Sequence, residues 1–340
     1  MKNILVTGGT GYIGSHTTVE LLNRGYEVYI IDNLSNSHED VLNAIKKITG
    51  KTPLFHAFDL CDRNKVREFF SKNRIDATIH FAAFKSVGES VDHPLDYYRN
   101  NLNSLINILE VYAENGLDHL IFSSSCSVYG EQSKQPIDET AVLAKAESPY
   151  GNTKQIGEEI LADTLRVNSF SGIALRYFNP GGAHESALIG EYPLHPPNNL
   201  VPVITQTAIG KREFMNVFGN DYDTADGTCI RDFIHVVDVA RAHIAALELL
   251  LNKKNKKQFD VFNLGTGTGK TVLQAIETFE RTNGMKLNFK IAGRRPGDVV
   301  KIWADTTKAN QELGWKAELT LEDIMRSAWK WENQLLKVLT

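Results

Sequence analysis

A tyrosine and a lysine stand four positions apart in SPYGNTK, residues 148–154. On a helix that spacing puts the Tyr150 phenol and the Lys154 ammonium on one face. A surface ion pair would use a carboxylate, because a phenol is neutral at pH 7 and offers an ammonium little. An ammonium one turn from a phenol favours the phenolate instead. The sequence therefore predicts a lowered Tyr150 pKa and a usable base near neutral pH. Ordinary amphipathic helices show the same spacing, so the chemistry depends on what else reaches the pair. Upstream, HLIFSSS ends in three serines, the last of them Ser125. A hydroxyl, a phenol and an ammonium beside a nicotinamide make a hydride-transfer site. Tyr150 would exchange a substrate hydroxyl proton, Ser125 would hydrogen-bond the same oxygen, and Lys154 with the positive ring would lower the phenol pKa. Gly151 would let a ring or sugar approach the helix.

Those groups need a scaffold, and the N-terminal stretch NILVTGGTGYIGSHTTVELLNRGYEVYIID supplies its first unit. It reads as strand, glycine turn, amphipathic helix, Gly25 stop and second strand. Gly8, Gly11 and Gly14 fall at G-x-x-G-x-x-G spacing, where a side chain would hold the backbone away from a pyrophosphate on the helix N-terminus. Asp32 ends the second strand, where a carboxylate accepts ribose hydroxyls and repels a 2′-phosphate, favouring NAD over NADP. The alternation continues: LFHAFDL ends in a strand with Asp59, ATIHFAA in one with two alanines, HLIFSSS in one with Ser123 to Ser125. Ligands of an open parallel sheet bind at the carboxyl ends of its strands, so Asp59, Ala82, Lys85 and Ser123–Ser125 should line one crevice. His80, inside an apolar strand, reads as a core histidine. The predicted fold class is α/β: a Rossmann-type doubly wound parallel sheet with a smaller mixed α/β substrate-binding domain.

Composition agrees with a soluble globular chain. Its 340 residues are 42% hydrophobic and 23% charged, with net charge −4 and pI near 6.2. No basic excess suggests nucleic acid, and no polybasic run suggests an anionic membrane. The cluster Lys253, Lys254, Lys256 and Lys257 reads as a solvated loop. No apolar stretch approaches the ~18 residues of a membrane span, and MKNILVTGG is too short for a signal-peptide core. Cys61, Cys126 and Cys229 form neither a disulfide framework nor a metal pair. A cytoplasmic protein is expected.

TGGTGYIGS, SSSCSVYG and SPYGNTK resemble the extended short-chain dehydrogenase/reductase family. Within it, the whole chain is similar to the UDP-glucose 4-epimerase family: DNLSNS (32–37), FAAFKSVGES (81–90), RYFNPGGAH (176–184), NNLVP (198–202), FGNDYDTADGT with IRDFIHVVDVA (218–240) and Arg295-Pro-Gly-Asp298 before Trp303-Ala-Asp305 match in order. The resemblance implies interconversion of UDP-glucose and UDP-galactose through a 4-keto intermediate on NAD, with Ser125, Tyr150 and Lys154 catalytic. It implies NAD contacts from Gly8, Gly11, Tyr12, Ile13 and Gly14, and from Asp32, Asn33, Asn36, Asp59 and Leu60. Further NAD contacts are implied for Phe81, Ala82, Lys85 and Asn100, and for Ser123, Tyr150, Lys154 and Tyr177. For the UDP-sugar it implies Lys85, Ser125, Tyr150, Asn179, Asn199 and Leu200, then Phe218, Arg231, Arg295 and Asp298. Ile302 falls where members restricted to glucose and galactose carry tyrosine, which opens the pocket to N-acetylhexosamines. A homodimer is also implied.

The boundary between the units is not clean. Residues 1–180 read as the NAD-binding domain and 181–340 as the UDP-sugar domain, with segments around 230–265 returning to the first. Two arginines suit a diphosphate, which they can grip with bidentate bonds. GTGTGKT (265–271) tempts a P-loop reading, but Leu264 stands where the first glycine must be, so a turn between strand and helix is expected. Asp221, Asp223 and Asp226 miss the calcium-loop spacing, and no metal is expected. Two rival functions remain. A nucleotide-sugar 4,6-dehydratase shares the hydride step but needs an acid–base pair after the serine, where Cys126 and Ser127 stand. A non-catalytic NAD sensor would not need Ser125, Tyr150 and Lys154.

Overall fold

The computed structural model describes residues 1–295 and 297–339, so Pro296 of the Arg295–Asp298 stretch lies outside the described residues. The first six strands are β1 (Asn3–Thr7), β2 (Glu27–Asp32), β3 (Leu54–Ala57), β4 (Ala77–His80), β5 (His119–Ser125) and β6 (Ser171–Tyr177). With the later strand Phe259–Leu264 they form one seven-stranded sheet, ordered Phe259–Leu264, β6, β5, β4, β1, β2, β3. All its pairings are parallel. The strand order reverses between β1 and β4, and that switch point is where such sheets open a crevice.

Helices cover both faces, which is why the strands are apolar runs rather than alternations. Ile4, Val6, Ile79 and Ile121 pack on one side with Val19 and Leu22 of helix Tyr12–Asn23 and with Val239 and Leu247 of helix Val236–Leu251. Leu5, Leu120 and Phe122 pack on the other with Leu105 and Ile108 of helix Pro94–Asn115 and Leu161 of helix Pro149–Val167. His80 is a core histidine, bonded to the Thr7 hydroxyl at 2.9 Å and pushed down to about 3 by burial.

Three smaller sheets lie apart from the large one: Asn179–Gly181 with Phe233–His235, Ile230–Arg231 with Lys270–Thr271 and Lys301–Ile302, and Met215–Phe218 with Phe289–Ala292. A separate apolar cluster around Ile204, Met215, Phe279 and Ile324 serves this second region. No described helix is long and apolar enough to cross a membrane.

Candidate active site

The glycine turn is built for close approach. Gly8 sits at φ +68°, and a Cβ there would come within 2.9 Å of the Ala82 amide nitrogen. A Cβ at Gly14 would come within 2.2 Å of the Gly8 carbonyl oxygen. Helix Tyr12–Asn23 starts at Gly11 with no side-chain cap. The first-turn N–H groups of such a helix have no intrahelical partner and are aimed at an anion. Asp32 receives N–H bonds from Leu34 (2.9 Å) and Thr10 (3.2 Å) and one from the Ser37 hydroxyl (3.2 Å), which fixes its carboxylate at the crevice rim. These residues fit a dinucleotide: the turn admits a pyrophosphate, the helix start offers donors, and an anchored carboxylate faces the ribose position.

Every residue expected to touch NAD, from Gly8 round to Tyr177, lines this single crevice. Tyr150 and Lys154 enter it from helix Pro149–Val167. That helix starts on Pro149, is capped by the Ser148 side chain on the Gly151 N–H (3.1 Å), and lies close to β5 because Gly157 leaves room for the Phe122 ring. Lys154 is buried and donates to the Ser123 carbonyl at 2.7 Å. One turn on, Glu158 forms a buried ion pair with Arg176 of β6, locking the helix to the strand ends. Ser125 stands just outside the crevice lining, its hydroxyl accepting the Ser127 N–H at 3.2 Å and favouring the Tyr150 phenolate.

Two expectations are corrected here. Burial pushes the Tyr150 phenol up to about 12, against a smaller lowering from the Ser125 hydrogen bond. The Lys154 ammonium, its Nζ 5.9 Å from the Tyr150 ring centroid and bonded to the Ser123 carbonyl, does not offset that burial, which also brings the amine itself down to about 8. Spacing showed the shared face but not the desolvation. Gly151 also has a different reason. A Cβ there would meet the Ser127 carbonyl at 3.2 Å and the Ala146 Cβ at 3.3 Å, so it lets the turn after Ser125 close on the helix rather than admitting a ligand.

The residues expected to hold the UDP part lie outside the crevice lining, apart from Lys85 and Tyr150. Four of them are brought together. Asp298 takes two bonds from Arg295 (2.8 and 3.1 Å) and one from Arg231 (3.4 Å), and the Arg295 guanidinium lies 5.4 Å from the Phe218 ring. Ile302 pairs in register with Arg231 and is buried beside Cys126 and Phe178. Asn199 is the N-cap residue of helix Leu200–Ala208, yet its amide does not cap it. That amide donates to Glu191 at 2.9 Å. The Asn179 side-chain oxygen is buried without a partner, an acceptor awaiting a donor.

Sequence reasoning missed the segment Gly190–Pro193, which forms a crevice wall. Tyr192 stacks on His38 at 3.9 Å, and Glu191 bonds Lys85 at 2.7 Å. Nothing in PGGAHESALIGEYP announces this, since the segment reaches the crevice only through tertiary contacts. The GTGTGKT stretch is the expected turn, between strand Phe259–Leu264 and helix Val272–Asn283. Its N–H groups are already used: Asp232 accepts from Thr266 (2.9 Å) and Gly267 (3.2 Å).

A family model described as GDP-mannose 4,6 dehydratase matches residues 5–328. A UDP-glucose 4-epimerase of Bacillus subtilis (strain 168) is 50% identical, covering 97% of this chain and 96% of that protein. Among solved structures, the UDP-glucose 4-epimerase of Stenotrophomonas maltophila, with bound NAD and formylated UDP-arabinopyranose, is 45% identical at TM-score 0.96, covering 99% of this chain and 100% of that one. The enzyme of Bifidobacterium longum, in complex with NAD+ and UDP, is 43% identical at TM-score 0.94, covering 98% of each chain.

Proposed function

Because the chain belongs to the UDP-glucose 4-epimerase family, we propose that it interconverts UDP-glucose and UDP-galactose on NAD, with Tyr150 moving the proton of the sugar 4-hydroxyl. The observation that carries this reading is one crevice holding an uncapped helix start, Asp32, Tyr150 and Lys154, with Ser125 just outside its lining. NAD, held by the glycine turn and Asp32, would supply a hydride acceptor and donor for carbon 4 and a positive ring that favours the phenolate.

The chain's own groups do the rest. Burial alone holds Tyr150 as a neutral phenol, with a pKa of about 12. Ionised beside a positive ring, it would take the 4-hydroxyl proton, and the phenol so formed would return it to the 4-keto oxygen. Ser125 would bond the same oxygen and steady the ionised form. Lys154 holds the end of β5 in place. Gripping the nucleotide through Arg231 and Arg295, with Phe218 exposed as a surface for a base, leaves the sugar free to turn. Remote binding energy supports the reaction without fixing the sugar. Residues 1–180, with returning segments around 230–265, serve as the NAD unit and the rest of 181–340 as the UDP-sugar unit. The pairing of Phe259–Leu264 with β6 supports that division.

The dehydratase reading needs an acid and a base after Ser125. Burial pushes the Cys126 thiol up to about 12, and Ser127 is a hydroxyl, so neither serves. The test is pure protein with UDP-galactose and no added NAD. UDP-glucose should form, and Tyr150→Phe should lower the rate by about 10²–10⁴-fold with an unchanged melting temperature. Wild-type rates in that variant remove Tyr150 from the mechanism.

Substrate range also turns on Ile302, buried 5% exposed beside Cys126. We propose that it leaves room for an acetamido group, so UDP-N-acetylglucosamine is epimerised too. Ile302→Tyr should abolish turnover of the acetylated pair and spare the glucose pair, and no acetylated turnover in wild type sinks the idea. The chain is proposed as a cytoplasmic homodimer. Val87 and Val91, one turn apart on helix Val87–Asp92, and Leu95 at the start of helix Pro94–Asn115 are 48%, 60% and 71% exposed and offer apolar surface for a second copy. A monomer mass by light scattering would exclude it.

A further inference from the structure

Glu191 stands where the two ligand regions meet. Its side chain is 8% exposed, and a single oxygen, Oε1, accepts from Lys85 Nζ at 2.7 Å and from Asn199 Nδ2 at 2.9 Å. Lys85 lines the dinucleotide crevice, while Asn199 starts helix Leu200–Ala208 on the substrate side. The backbone under Glu191 is pinned. A Cβ at Gly190 would come within 2.5 Å of the Trp331 ring, Trp331 Nε1 donates to the Glu191 carbonyl at 3.0 Å, and Tyr192 is stacked on His38 of the crevice. With the main chain fixed, the carboxylate can redistribute only between its two donors. Lys85 is the mobile one, its side chain 42% exposed.

We propose that Glu191 is a positioning residue that couples NAD retention to UDP binding by sharing one carboxylate oxygen between Lys85 and Asn199. The inference rests on the reading that NAD fills the crevice and UDP engages Asn199. When UDP draws the Asn199 amide away, Oε1 serves Lys85 alone. An ionic hydrogen bond of one donor is stronger than one shared with a second. The Lys85 side chain is then held across the crevice on Glu191, and NAD leaves more slowly. Linkage of affinities is reciprocal, so the factor by which UDP tightens NAD at equilibrium is the factor by which NAD tightens UDP.

The test reads NAD release rather than turnover. Holoenzyme is diluted into NAD-free buffer, with and without saturating UDP, and the released dinucleotide is followed. In wild type UDP should slow release by about fivefold or more. In Glu191→Gln, which keeps the volume and an acceptor for Asn199 but loses the charge for Lys85, UDP should change release by less than about twofold. Lys85→Met should also lose the UDP effect, read as the ratio of release with and without UDP because Lys85 lines the crevice itself. Combining the two should remove no more of that ratio than either alone, since both break the Lys85–Glu191 pair. A merely structural role would speed release equally with and without UDP. That result overturns the proposal, as does a wild-type release rate indifferent to UDP. If Glu191→Gln melts early, Lys85→Met carries the same comparison. Failure of the underlying reading shows separately, as wild type that holds no NAD or leaves UDP-galactose unchanged, and it takes the proposal with it.

Discussion

Among the described residues, two glycine-rich turns that lead into helices differ in that the first lines the crevice and the second does not. The first, Gly8 to Gly14, ends at a helix with no side-chain cap and lines the crevice. The second, Gly265 to Gly269, ends at a helix closed by a capping box, Thr271 and Gln274 bonding each other's backbone N–H. Each turn also has its own carboxylate. Asp32 sits at the crevice rim, whereas Asp232 is fully buried and fills the second turn itself, taking Thr266, Gly267 and Ala304 N–H groups and the Thr266 hydroxyl. A glycine pattern therefore says that backbone comes close to something. Whether that something is a ligand depends on whether the chain has already supplied the acceptor.

The largest expected effect breaks the first turn. In Gly14→Ala the new Cβ would lie 2.2 Å from the Gly8 carbonyl oxygen and 2.9 Å from the Gly9 Cα, both backbone. The turn must open, and stability should fall by about 3 kcal/mol with loss of bound NAD. In Gly267→Ala the Cβ meets nothing nearer than Thr306 Oγ1 at 3.6 Å, so only the φ of +77° resists it. That left-handed conformation costs about 1–2 kcal/mol for alanine. Urea melts and the NAD content of purified protein read the contrast. Equal NAD loss in both variants would mean that the second turn supports the site in a way its contacts do not show.

Exchanging the carboxylates for amides should separate internal from external service. Asp232→Asn sets an amide NH2 among four donors, which should cost about 2–3 kcal/mol and leave cofactor preference alone. Asp32→Asn keeps an acceptor at a half-buried site, so stability should change little. Losing its charge removes the repulsion of a 2′-phosphate, and NADP affinity relative to NAD should rise about tenfold. Chemical denaturation and dinucleotide titration measure both. A cofactor switch in Asp232→Asn would contradict the assignment of that carboxylate to the turn.

The crevice was legible because strand ends are local. A run such as ILVT followed by GG, or HLIFSSS followed by Cys126, fixes where the strand stops, and parallel order then places those stops along one edge. The missing Walker glycine likewise exposed the second turn as structural. What stayed hidden is what depends on enclosure or on distant chain. Tyr150 and Lys154 show the same spacing whether wet or dry, so the rise of the phenol to about 12 cannot be read from it. Glu191 reaches Lys85 across 106 positions, and Asp298 reaches Arg231 across 67, with no periodicity linking either pair. The UDP-side residues were nameable only through family resemblance.

The smallest effect concerns the caps. Thr271→Ala removes the side chain that accepts from the Gln274 N–H (3.0 Å) and donates to Asp226. Cap loss should lower stability by about 1 kcal/mol, without touching NAD retention. The converse is sharper. Gly11 already has the extended backbone of an N-cap, φ −71° and ψ 174°, so Gly11→Ser could place a hydroxyl on the first-turn N–H groups. A serine Cβ would sit 3.1 Å from the Gly8 carbonyl oxygen, tight but within reach of a small adjustment. The capped helix should then compete with the pyrophosphate for the same donors. NAD retention should fall while the melting temperature of NAD-free protein holds or rises slightly. If Gly11→Ser keeps its NAD, an open helix start is not what distinguishes the two turns, and the burden shifts to Asp32 and the crevice walls.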